Sequence, residues 1–136
     1  MLRTFRQILL LFVLALAPAL VSAAIQLKWR GDEPLQPGEV RAATARQWAD
    51  AVLWVDARPR ARFEAGHIEG AISLDVTDWE AQVPGFFAAW SAEKTVVVYG
   101  DKSRPDASHD LAARLHGDLK IDSVYVLKGG FQDWQP

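Results

Sequence analysis

The sequence predicts an α/β domain: a five-stranded, mostly parallel sheet with helices on both faces. Three observations carry this. Short apolar runs rich in β-branched residues recur along the chain, Val52–Val55, Thr95–Tyr99 and Ser123–Leu127 among them. Helix-forming stretches with start and stop signals lie between them. Strands that alternate with helices imply a parallel sheet buried on both sides.

The elements follow in order. Ile25–Arg30 (IQLKWR) alternates apolar and polar residues and predicts a short edge strand. Gly31–Gly38 holds two prolines and two glycines and reads as loop. Thr44 and Gln47 have capping-box spacing, which predicts a helix over 45–50. Val52–Val55, ended by Asp56, has the form of a buried parallel strand. Arg60–Ala65 is a short helix closed by Gly66, and Ala71–Leu74 a further short strand. Thr77 and Glu80 form a second capping box, opening a helix that Pro84-Gly85 should interrupt before Phe86, Phe87 and Trp90 resume a turn. Thr95–Tyr99 is the clearest strand. After a tight loop, Gly100–Arg104, a helix runs from Pro105 to His116 with Ala107, Leu111, Ala112 and Leu115 on one face, and Gly117 should end it. Ser123–Leu127 is the last strand, and Gly129-Gly130 leads into a terminal turn, Phe131 to Trp134.

The first segment reads as a leader apart from the fold. Arg3 and Arg6 stand without an acid in the first seven residues, an unbroken apolar run follows from Ile8, and Val21-Ser22-Ala23 supplies small residues where cleavage would fall. Residues 1–23 are therefore expected to be a signal peptide and 24–136 the folded domain, placed in the periplasm or outside the cell. The alternative is a retained membrane anchor over residues 8–24, although that stretch contains Pro18 and falls short of the about 20 apolar residues a spanning helix needs. A membrane enters only if the leader stays uncut.

At 136 residues, 50% hydrophobic and 24% charged, the chain suits one globular domain. Its formal net charge is −2, and cleavage would remove two arginines and make it more acidic. That excludes general nucleic-acid binding, which depends on cationic contacts. There is no cysteine. Disulfides, thiolate chemistry, Cys-ligated zinc and Fe–S clusters are all excluded with it. No metal site is expected, because His109 and His116 stand seven residues apart on one helix, about 10.5 Å along its axis. No cofactor is expected either.

Three stretches together resemble the rhodanese-like (sulfurtransferase) family. Val55-Asp-Ala-Arg58 followed by Phe63-Glu-Ala-Gly-His-Ile-Glu-Gly-Ala71 is similar to the family's D-x-R…F-x-x-G-H-I-x-G-A signature. Val96-Val-Val-Tyr99, a loop, and Ser108-His-Asp-Leu-Ala-Ala-Arg-Leu115 resemble its active-site strand, loop and helix. Leu127-Lys-Gly-Gly-Phe-Gln-Asp-Trp134 is similar to its C-terminal L-x-G-G-[WF]-x-x-W. Order and spacing agree over nearly all of the chain beyond the leader, so the resemblance implies a rhodanese-like single domain. It also implies that the residue after the Val-Val-Tyr strand is the catalytic cysteine. Here that position is Gly100, and the loop reads Gly100-Asp-Lys-Ser-Arg104. Sulfur transfer of this type needs a thiolate that takes a sulfane sulfur as a persulfide, and glycine offers no atom for it. Rhodanese-fold phosphatases share the requirement.

The remaining candidates have two readings each. Gly100, Asp101, Lys102, Ser103 and Arg104 could bind a small anion, with Lys102, Arg104 and the following helix N-terminus supplying positive charge, or could be a solvated loop. Ser103 is the loop's one hydroxyl, a candidate nucleophile with no evident base, and more simply a helix cap with Pro105 in the first turn. Asp56 and Arg58 lie at the C-terminal end of a parallel strand, where such sheets place ligands, or else lock neighbouring loops together. His67 reads as a structural hydrogen-bonding residue. Trp48, Trp54 and Trp79 read as core, with Trp29, Trp90 and Trp134 open between core and a partner surface. The leading expectation is a non-catalytic module that binds an unidentified protein partner or a small anion. The alternative is a working sulfurtransferase or hydrolase that uses another nucleophile such as Ser103.

Overall fold

The computed structural model describes residues 33–134. The expected leader, residues 1–23, and the expected strand Ile25–Arg30, with Trp29, lie outside the described residues. Among the described residues five strands alternate with five α-helices. They are β1 (Glu39–Val40), α1 (Ala42–Gln47), β2 (Val52–Asp56), α2 (Arg60–Ala65), β3 (Ile72–Ser73), α3 (Trp79–Ala89), β4 (Thr95–Tyr99), α4 (Asp106–Leu119), β5 (Val124–Leu127) and α5 (Gly130–Trp134). The strand order is β1-β5-β4-β2-β3, and every pairing is parallel. The α/β class with a parallel five-stranded sheet is thus as the sequence predicts.

The two central strands explain the layers. Along β2, Leu53 and Val55 face one side and Val52 and Trp54 the other; along β4, Val96 and Val98 oppose Val97 and Tyr99. Such period-2 alternation with both sets apolar is what a doubly covered sheet requires. The first set packs with Phe86 of α3 and Leu111 and Leu115 of α4. The second packs with Val40, Ala45, Ile68 and Leu127, and with Phe131 and Trp134 of α5. Fully burying each Val, Leu, Ile or Phe side chain among them contributes about 1.5–3 kcal/mol. Trp54 is core, as expected, and Trp48, Trp79, Trp90 and Trp134 are partly buried against the two clusters.

Several boundaries depart from the sequence reading. The two-residue strand β1 has too little pattern to be seen, and it forms because Val126 and Lys128 donate their N–H groups to Gly38 and Val40. Thr44 does not open a helix. The chain is already helical from Ala42, after an extended Arg41 that makes no side-chain cap. Thr77 does not cap α3 either: a 3-10 turn, Val76–Asp78, precedes that helix and is capped by the Asp75 carboxylate, which accepts from the Thr77 N–H, and α3 then starts after Asp78 with no side-chain cap. Helix α3 runs unbroken through Pro84. Pro84 and Gly85 are exposed while Trp79, Phe86, Ala89 and Trp90 hold the inner face, so packing outweighs one missing backbone bond. Gly117 does not end α4 either: the helix continues to Leu119 and closes on Lys120 in the left-handed conformation, φ 57°.

Candidate functional site

Because all strands are parallel, the chain leaves β2, β4 and β5 at one end of the sheet. Arg58, the 100–104 loop and Gly129-Gly130 gather there. This is the end where open parallel sheets hold ligands.

Asp56 and Tyr99 are register partners across β2 and β4, and Ala57 donates to the Tyr99 carbonyl at 2.9 Å. Asp56 is fully buried and Arg58 nearly so. Arg58 Nη2 lies 2.7 Å from Asp56 Oδ2, and Nε lies 2.9 Å from Oδ1. The Arg58 backbone N–H also donates to Oδ1, and Nη2 donates to the Gly66 carbonyl at 2.7 Å. The guanidinium lies 4.1 Å from the Phe131 ring centroid. Burial works to lower the Arg58 pKa, but the Asp56 carboxylate outweighs it and raises it. Every oxygen of this carboxylate is satisfied from within, so the pair ties β2 to the loop after α2 and to α5. Tyr99 stands beside it with its hydroxyl accepting from the Ile68 N–H at 3.1 Å. Burial raises the phenol's pKa, the Ile68 N–H opposes this, and the Asp56 charge adds to the rise. His67, an exposed residue, has Nδ1 at 2.9 Å from the Phe63 carbonyl and its ring stacked on Phe63. A carbonyl can only accept, so Nδ1 carries the proton.

Gly100 follows β4 directly. Its carbonyl accepts from the Phe131 N–H at 2.8 Å. A Cβ built on Gly100 would lie 3.4 Å from Cβ and Oγ of the buried Ser108 and 3.8 Å from the Arg104 carbonyl. That is van der Waals contact, so the loop keeps room for a side chain it does not have. The Asp101 carbonyl accepts from the Arg104 N–H, closing a turn. Asp101 Oδ1 accepts from Gln132 Nε2 at 3.1 Å, and the Lys102 N–H donates to Gln132 Oε1 at 2.9 Å. Lys102 Nζ pairs with Asp133 at 2.8 Å. Ser103 and Arg104 are exposed. The residue before α4 is Pro105, with no side-chain cap, so Ser103 does not cap the helix as expected. The Pro105 carbonyl instead accepts from the Ser108 N–H and hydroxyl.

His109 does not serve Ser103. Its Nε2 lies 3.5 Å from Glu39 Oε1, and Lys128 Nζ lies 3.4 Å from Glu39 Oε2. Burial works to raise the Glu39 pKa; the Gln36 N–H and the charges of Lys128 and His109 outweigh it and hold the carboxyl below its ordinary value. A cleft of about 40 Å³ lies between this cluster and the loop, with Lys102, Ser108 and Gly130 among its walls.

The structure therefore brings Gly100, Asp101, Lys102, Ser103 and Arg104 to the same sheet end as Asp56 and Arg58, but it buries the Asp56–Arg58 pair while Asp101 and Lys102 meet Gln132 and Asp133 at the surface and Ser103 and Arg104 stay exposed. Sequence reasoning passed over Gln132, Asp133 and Glu39. The first two lie inside the Gly-Gly-Phe-Gln-Asp-Trp stretch, read from the sequence only as a terminal turn; Glu39 carries no signal.

A rhodanese-related protein from Thermoplasma volcanium has a similar structure, with TM-score 0.54, 18% identity, and coverage of 71% of this chain and 88% of its own. The rhodanese-like domain of the Alr3790 protein from Anabaena sp. gives 0.53 and 22% identity over 71% of this chain and 72% of its own. EanB in its wild-type form gives 0.55 and 25% identity over 71% of this chain, which spans about a quarter of EanB's length (25%). One EanB variant is described in complex with ergothioneine covalently linked to a persulfide. No curated protein sequence matches the chain. The family described as the rhodanese-like domain matches residues 38–136, nearly all of the described part and the whole of the site. By that match and by its fold, the chain belongs to the rhodanese-like domain family, in a form without cysteine.

Proposed function

We propose that this protein is an exported, non-catalytic rhodanese-like module whose 100–104 loop recognises a protein partner or a small anion. One observation carries the reading: Gly100 stands directly after β4, where the family resemblance puts the nucleophile, and no sulfur exists anywhere in the chain to replace it except in Met1. A persulfide of the kind described for EanB needs a cysteine. Ser103 is a poor substitute, since an alcohol attacks only when a base takes its proton, and His109 faces Glu39. Export is supported by Arg3, Arg6, the apolar run from Ile8 and the small residues at Val21–Ala23. Periplasm or cell exterior is the expected place.

What the loop retains supports recognition. Arg104 is exposed, Lys102 is held by an exposed ion pair, and the 14-residue α4 begins just beyond. The test is an NMR titration with thiosulfate and with phosphate, followed by mass measurement. Shifts confined to 100–104 with no added mass support an anion as the ligand. A flat titration at concentrations on the order of tens of millimolar removes the anion from the reading. Covalently retained sulfur overturns the non-catalytic assignment.

A further inference from the structure

The loop and α5 hold each other by two unlike sets of contacts. Gln132 spans the loop with both ends of its carboxamide: Oε1 accepts from the Lys102 N–H at 2.9 Å and Nε2 donates to Asp101 at 3.1 Å. Asp133 accepts from Lys102 Nζ at 2.8 Å. All of these are solvent-exposed contacts between residues 30 or 31 apart in sequence.

The anchorage of α5 itself is of another kind. Phe131 lies against Tyr99 and beneath the Arg58 guanidinium, and the Trp134 ring is 4.5 Å from that of Trp54. Arg46 donates to the Trp134 carbonyl and lies over its ring. The backbone of Gly130, at φ +63°, abuts the Gly100 carbonyl where a Cβ would overlap it. The carboxylate of Asp133 fills the space a side chain on Gly129 would need. The two glycines thus bring α5 against the loop. The helix cannot leave without opening a core cluster. The loop can leave by exchanging exposed polar contacts for water.

We propose that α5 is a latch on the 101–104 segment, with Gln132 as its positioning residue. With the latch closed, the Lys102 amide and ammonium are held by the chain's own side chains; with it open, both are offered outward. This rests on the reading of the loop as the recognition face and supplies its regulation: a partner must displace Gln132 and Asp133 to reach Lys102.

Amide hydrogen exchange on the full chain tests it. The Lys102 amide should exchange about tenfold faster or more in Gln132→Ala than in the unsubstituted protein, with Phe131 amide protection unchanged in both. Gln132→Met, which keeps the side-chain length and removes both bonds, should match Gln132→Ala. Unchanged Lys102 exchange in both variants overturns the latch. So does loss of Phe131 protection alongside Lys102, since loop and helix would then open as one body. The measurement uses neither partner nor turnover, so its failure leaves the recognition reading standing. A flat thiosulfate titration of Gln132→Ala would count against that reading and leave the latch intact.

Discussion

The guanidinium of Arg58 grips the carboxylate of Asp56, two residues before it, with Nη2 at 2.7 Å from Oδ2 and both side chains withdrawn from solvent. The pair is a structural pin. It joins the end of β2 to the Gly66 carbonyl and carries Phe131 on its flat face.

Removing one partner leaves the other charged and buried. Asp56→Ala and Arg58→Ala should each destabilise the fold by about 3–5 kcal/mol. The double variant should cost clearly less than the sum of the two, because no orphaned charge remains. Urea unfolding of the three variants checks this, and additive losses would show that the two residues do not act as a pair.

Two glycines should respond in opposite directions. Gly130 sits at φ +63° against the Gly100 carbonyl, so Gly130→Ala meets both an unfavourable backbone conformation and backbone atoms. Conformational strain alone costs about 1–3 kcal/mol, and α5 should lose its seat on the loop. Gly117 lies inside α4 with open space around it. Gly117→Ala should stabilise the protein by roughly 0.5–1 kcal/mol. Thermal unfolding of both variants reads the two signs.

Tyr99 makes the protein sensitive to alkali. Burial raises its phenol pKa above the ordinary 10.0. Above about pH 10 the unfolded chain therefore releases a proton that the folded chain keeps, and stability falls as pH rises. Tyr99→Phe should flatten that part of the stability curve. At neutral pH the same change leaves the buried Ile68 N–H unpartnered, a cost of about 1–3 kcal/mol. Equal alkaline slopes for the two proteins would contradict the assignment.

Much of this fold was legible because the central strands are short, apolar and β-branched. Thr95–Tyr99 and Arg60–Ala65 have the limits the sequence predicts, and β2 exceeds its predicted run by Asp56 alone. The misread elements share one cause: local signals overruled by packing. Pro84 and Gly117 look like breakers, yet each lies on the solvent side of a helix whose inner face is held by aromatic or leucine side chains. Thr44 and Thr77 have capping spacing, but the chain enters α1 from Arg41 and α3 from Asp78, neither with a side-chain cap. At the site, the position of Gly100 could be read from the strand before it. The grip of Gln132 and Asp133 on the loop could not, because it joins residues some thirty positions apart and depends on where α5 packs.

The vacant place at Gly100 should accept a nucleophile. The residue has no positive φ, and a Cβ there lies 3.4 Å from Ser108. In Gly100→Cys the thiolate should attack the sulfane sulfur of thiosulfate, forming a new S–S bond while sulfite leaves with the electron pair of the old one. Intact mass should rise by one sulfur and return on reduction. A folded variant that stays unmodified would show that the loop no longer cradles an anion.

The most direct test of the central claim is thiocyanate production by the unsubstituted protein from thiosulfate and cyanide. With no thiolate to carry the sulfur, the rate should equal that of buffer alone. Sustained turnover that disappears on Ser103→Ala would contradict the account and make the protein an enzyme with an oxygen nucleophile.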